Sequence, residues 1–229
     1  MSENIPSKDP AADSSMGSML REVFSKALKS VDGMLPATVV SYNRETNRAT
    51  VVPSIHMVTT GGQNLERAPY ANIPVLALGG GEFVINFPLK AGDTGWIEAS
   101  DRDISLWLQS KGANRTAPNT HRIHSFSDGR FIPDMLANYT LAEDAGTDGM
   151  VIQHKDGASA VVVFADRVLI KSTTIDFEGT AAINMKAPEI KIEGPTTVTG
   201  GLGIDGIDFG THVHGGVQTG SNTTNGPQG

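Results

Sequence analysis

The sequence predicts a mostly β chain: an N-terminal helix, a small OB-like barrel (the oligonucleotide/oligosaccharide-binding type), and then an intertwined trimeric β-helix. Three observations carry this. Apolar residues recur with helical spacing from Met16 to Val31. Short apolar runs broken by glycine and proline fill residues 35–108. After Gly149, apolar pairs at i and i+2 begin every seven or eight residues, which marks stacked short strands.

The helix is read from Met16, Met19, Leu20, Val23, Phe24, Ala27, Leu28 and Val31, with Ser14 or Ser15 as N-cap and Gly33 near its end. It either packs on its own domain or docks on another protein. Residues 1–13 are polar, without the apolar core of a secretion signal, so synthesis in the cytoplasm is expected. The barrel strands are Thr38–Tyr42, Ala49–Pro53, Asn72–Leu78, Glu82–Asn86 and Thr94–Glu98, with Ile104, Leu106 and Leu108 alternating on one more. Gly, Pro and polar residues make 109–149 a connector with a few short strands. Lys155-Asp156-Gly157 then signals a hairpin between Met150–His154 and Ala160–Phe164. The later pairs are Val168/Ile170, Ile175/Phe177, Ile183/Met185, Ile190/Ile192 and Ile207/Phe209, with Val198 and Ile204 between. The expected divisions are 1–34, the polar segment and helix; 35–108, the barrel; 109–149, the connector; 150–206, the shaft; and 207–229, the tip.

Two apolar side chains per strand barely make a core in one chain, whereas three chains wound about an axis close one and remove strand edges. Composition agrees: 229 residues, 26 of them glycine, with 38% hydrophobic and 6% aromatic content, suit thin architecture steadied by neighbouring copies. The net charge of −7 and the lack of a basic face argue against a nucleic-acid partner. With no cysteine, disulfides and thiolate metal sites are ruled out. No run of 18 apolar residues exists to span a bilayer as a helix.

The end of the chain carries the most chemistry. On a strand, His212 and His214 point the same way. One chain offers two imidazoles; three chains about an axis offer six, an octahedral set that suits iron, with nickel and cobalt as competitors, and does not suit tetrahedral zinc. Asp205 and Asp208 permit a calcium ion nearby. Gly201 to Gly206 spells G-x-G-x-x-G, but no helix comes after it, so it reads as a turn. His121 and His124 lack a third ligand, and Glu98, Asp101 and Asp103 read as salt-bridge partners rather than an acid/base pair.

With these residues the chain resembles the membrane-puncturing spike proteins at the baseplate tip of contractile-tailed phages. The matching tip positions are Thr211, His212, His214, Gly220, Ser221, Thr224 and Pro227, while Gly215, Gly216 and Asn222 to Asn225 vary it. Gly92-Asp-Thr-Gly-Trp-Ile97 and Asp101-Arg-Asp-Ile104 extend the resemblance into the barrel. It implies a homotrimer at the tail baseplate tip of the virion, docked on a hub protein through the N-terminal region. It also implies one iron ion held by His212 and His214 of each chain, and a mechanical rather than enzymatic role at the host envelope during genome delivery. A phage-like injection device fits the same reading. The alternatives are a glycan-cleaving β-helical tail protein, which needs paired carboxylates among aromatics, and a barrel that binds glycans or proteins. The chain has only two Trp and three Tyr, none clustered in the shaft.

Overall fold

Ser15 opens the first element. Its hydroxyl accepts the Ser18 N–H at 3.1 Å and starts α1, Met16–Lys29. Lys26 and Lys29 sit in its last turn, where cations suit the helix dipole. The computed structural model describes residues 15–59, 62–136 and 138–211. The chain divides into two units, residues 1–175 and 176–229.

Asp32, just past the end of α1, bonds to the 124–126 stretch and to Arg67. Its N–H donates to the His124 carbonyl at 2.9 Å, and its carboxylate accepts the Phe126 N–H at 3.1 Å and faces Arg67 at 3.4 Å. Then come β1 (Met34–Asn43), β2 (Arg48–Pro53), the short hairpin β3 (Met57–Val58) and β4 (Asn64–Leu65), β5 (Tyr70–Pro74), a second hairpin of β6 (Leu78–Gly80) and β7 (Phe83–Ile85), and β8 (Thr94–Ser100). A short helix α2 (Ser105–Gln109) and β9 (Ser125–Pro133) come next.

Five of these strands form one antiparallel sheet in the order β5-β2-β1-β8-β9. Its outer strands come together through a parallel bridge between Val75 and Phe131, with Leu76 N–H on the Phe131 carbonyl at 2.8 Å. The sheet is thus a nearly closed, barrel-like surface. Alternating residues turn inward: Ala37 and Val39, Ala49 and Val51, Ile73, Val75, Ile97, Phe126 and Phe131 make its core. At Gly95 a Cβ would sit 2.6 Å from Phe131 Cζ, so the missing side chain is what lets that ring cross the barrel.

Several features differ from the sequence expectation. Ile104, Leu106 and Leu108 lie on or beside α2 rather than on a strand, because the Asp103 carboxylate accepts the Ser105 N–H at 2.8 Å and favours a turn there. And the barrel draws its fifth strand, β9, from the stretch read as connector. Its mixed polar sequence hides the inward pair Phe126 and Phe131.

Beyond the barrel, β10 (Met150–Gln153), β11 (Ala160–Val163) and β12 (Val168–Lys171) form an antiparallel meander. The expected hairpin is there, with Gly157 at φ 74°. One face packs Val162 and Ala160 against Ala142 and Ala145. Gln153 reaches back to the Ala142 N–H at 2.8 Å, and Lys171 pairs with Asp144.

In the second unit, the described residues 176–202 form no strand ladder, and every described side chain from 176 to 211 is exposed. A strand needs a neighbour for its backbone groups, and among the described residues no strand pairs with this stretch in a ladder. The exception is the hairpin of β13 (Gly203–Ile204) and β14 (Ile207–Asp208). Asp205 at φ 53° and Gly206 at φ 81° give it the two left-handed residues of a type I′ turn. The G-x-G-x-x-G spelling therefore runs into a hairpin turn.

Candidate functional site

Asp208 ends β14 by accepting the Gly210 N–H at 2.9 Å and the Thr211 hydroxyl at 3.1 Å. Thr211 is the last described residue; His212, His214, Gly215, Gly216, Gly220, Ser221, Thr224 and Pro227 lie outside the described residues. Among the described residues, no group of three or more His, Asp or Glu side chains could hold a metal ion. The carboxylate of Asp208 is engaged in this turn.

The charged residues of the barrel pair with one another. Glu98 takes Arg130 across the β8–β9 ladder at 2.7 Å, and His124 lies 3.7 Å from exposed Asp101. Asp103 is buried. Hydrogen bonding from Ser105 and from the Thr120 hydroxyl at 2.6 Å, with Arg122 beside it, holds its carboxyl well below the usual range. Arg122 also grips buried Asp128 through two bonds, at 2.9 and 3.0 Å, and Asp128 holds its guanidinium charged. This network pins the 101–128 excursion onto the barrel. Nothing in the local sequence singles it out, because the Asp103–Thr120 link spans 17 residues and the Arg122–Asp128 pair has no periodic pattern. His121 stands apart from it, with Arg102, Pro118, Asn119, Thr120 and Ile123 around an open hollow of about 580 Å³.

Apolar surface dominates what remains. No residue of α1 is buried: Phe24 is 65% exposed and Leu28 71%. The β6–β7 hairpin presents Leu78, Phe83, Val84 and Ile85, with Phe83 84% exposed. The sequence read this segment as an ordinary barrel strand, since a run of Phe-Val-Ile looks the same in a core or on an uncovered hairpin. A helix of 14 residues with no buried side chain is marginal in water. The amphipathic face of α1 is therefore uncovered among the described residues.

Residues 35–134 match the family described as phage protein Gp138 N-terminal domain. The match spans the barrel-like sheet from β1 to the end of β9, less than half of the chain, and makes that domain similar to one found in a phage protein. No curated protein matches the chain.

Proposed function

We propose that this protein is the central spike of a contractile phage tail baseplate, a homotrimer that pierces the host outer membrane mechanically when the tail contracts. The observation that carries the reading is a junction. A barrel domain of phage type continues into a chain whose evenly spaced apolar pairs stay exposed on a single copy. The barrel supports it further: its strand order, with the third and fifth large strands meeting in parallel, fits a Greek-key OB barrel. The exposed pairs suit three chains winding into a β-helix, since each then finds both a ladder partner and a core.

The uncovered face of α1 supports docking on a tail hub through the N-terminal region. At the other end, His212 and His214 of three copies would supply six imidazole nitrogens to one iron ion, which would clamp the last coils where side chains are too few to hold them. Such a filled ligand set leaves no open position for substrate, in keeping with a mechanical role. A spike of a phage-like injection device would need the same parts.

The test is molecular mass and metal content on one purified sample. A trimer carrying one iron per three chains, with the iron lost in His212→Ala/His214→Ala, is the expected result. A monomer, or one zinc per chain, overturns the reading.

A further inference from the structure

Apart from the bridge joining Val75 to Phe131, the outer barrel strands β5 and β9 share no ladder among the described residues. Residues of both strands, of α2 and of the start of β2 surround an open hollow of about 310 Å³ at this seam, at the lower end of the range for small-ligand sites. Its lining is mixed. Ala71, Pro74 and Leu108 give apolar surface. The side-chain amides of Asn72 and Gln109 and the hydroxyl of Ser127 have no hydrogen-bond partner among the described residues. Backbone strain shapes one wall. The β2–β5 ladder shifts register between Ala49 and Val51, and Asn72 in β5 takes a left-handed φ of 61°, the kind of bulge and outlier that collects at functional positions. The Asn72 carbonyl accepts Arg48 Nη1 at 2.9 Å. The Nε–Nη2 edge of Arg48 has no partner among the described residues, and such an edge fits a carboxylate through two parallel bonds. The other guanidinium of the hollow is already taken: Arg122 lies on Asp128 through Nε and Nη2, with Asp103 3.3 Å away. The hollow therefore combines one uncompensated cation, neutral hydrogen-bonding groups and apolar surface.

We propose that this hollow binds a single saccharide unit that bears a carboxylate. The inference does not rest on the threefold reading above. Arg48 takes the carboxylate on its free edge. The sugar hydroxyls, each both donor and acceptor, meet Asn72, Gln109 and Ser127, and the C–H faces of the ring lie on Pro74 and Leu108. Other ligand classes fit less well. A phosphate dianion has only Arg48 to balance it, because Asp103 and Asp128 set two carboxylates against Arg122. A purely apolar ligand strips water from Asn72, Gln109 and Ser127 and returns no hydrogen bond to them.

The test is calorimetric titration of the full chain with glucuronate, glucose and acetate. Glucuronate is expected to saturate one site per chain. Glucose lacks the charge and acetate lacks the hydroxyls, so each should bind at least about tenfold more weakly. Arg48→Gln should weaken glucuronate about tenfold and bring it level with glucose. Gln109→Ala removes a side chain that makes no hydrogen bond among the described residues, and it should weaken both sugars and leave acetate unchanged. Arg44→Gln, outside the hollow, should bind as the parent chain does. Urea unfolding followed by tryptophan fluorescence checks that each variant is folded, and if Arg48→Gln is not, Gln109→Ala decides. No saturable glucuronate binding by the parent chain overturns the site. Acetate as tight as glucuronate reduces it to an ion contact and overturns the saccharide. Undiminished glucuronate binding in the folded hollow variants places the sugar elsewhere and overturns the proposal too.

Discussion

Single residues hold the barrel in two different ways. Gly95 acts by absence: a methyl group there would strike the Ile132 carbonyl and the Phe131 ring. Gly95→Ala should therefore cost about 1–3 kcal/mol, read as a lower urea midpoint at unchanged slope. Asp103 acts by charge. Its folded-state pKa lies below that of the unfolded chain, so the stabilisation it brings is complete above about pH 4 and fades as pH falls further. Asp134, held low by the Trp96 indole N–H at 2.8 Å and by the Leu136 N–H, adds to the same acid sensitivity. Melting temperatures measured from pH 2 to 7 should fall on acidification in the parent chain. In Asp103→Asn they should start lower at pH 7 and fall less steeply, and an equal slope in both chains would remove Asp103 from the account. Neither residue's role is legible in sequence. Gly95 sits between Thr94 and Trp96 like any strand glycine, and Thr120 and Arg122, which join Ser105 in holding Asp103, come from a separate loop.

Elements were legible where their pattern is local. The helical period of α1, the alternation in β1, β2 and β8, and the Lys-Asp-Gly hairpin each sit within one short window, and each appears where its residues indicate. β9 was not, because its inward residues Phe126 and Phe131 are split by Asp128 and Gly129. Asp128 is placed by Arg122, a pairing that no periodicity marks, and Gly129 by its close approach to the β8 backbone, which no local window contains. The exposure of α1 leads to a prediction at this scale. Since none of its residues is buried, Leu20→Glu/Phe24→Glu should leave the barrel's unfolding midpoint within about 0.5 kcal/mol of the parent chain, while removing any association that uses the helix. Loss of barrel stability in that variant would show that the helix packs on its own domain after all.

For the whole molecule, the balance of buried and exposed apolar groups is the governing fact. The two buried clusters are small, and large exposed hydrophobic side chains run from Met16 to Phe209. Under the proposed threefold reading, such a chain would finish its core with further copies. Sequence periodicity revealed this need, because it showed pairs too sparse for a core; it could not show which face of which strand is left open, since that depends on register. Two kinds of bond would then hold three copies: apolar contact along the chain from residue 150 onward, and the proposed histidine–iron clamp at its end. They should separate experimentally. On this proposal apolar burial would be spread over many side chains, whereas the clamp would act only at the histidines. His212→Ala/His214→Ala, or prolonged chelation, should therefore leave the trimer mass unchanged while making the segment after Thr211 open to proteases, read as early loss of a short C-terminal fragment by mass spectrometry. If the mass instead falls to that of a single chain, the metal is the main source of association and the apolar faces are secondary.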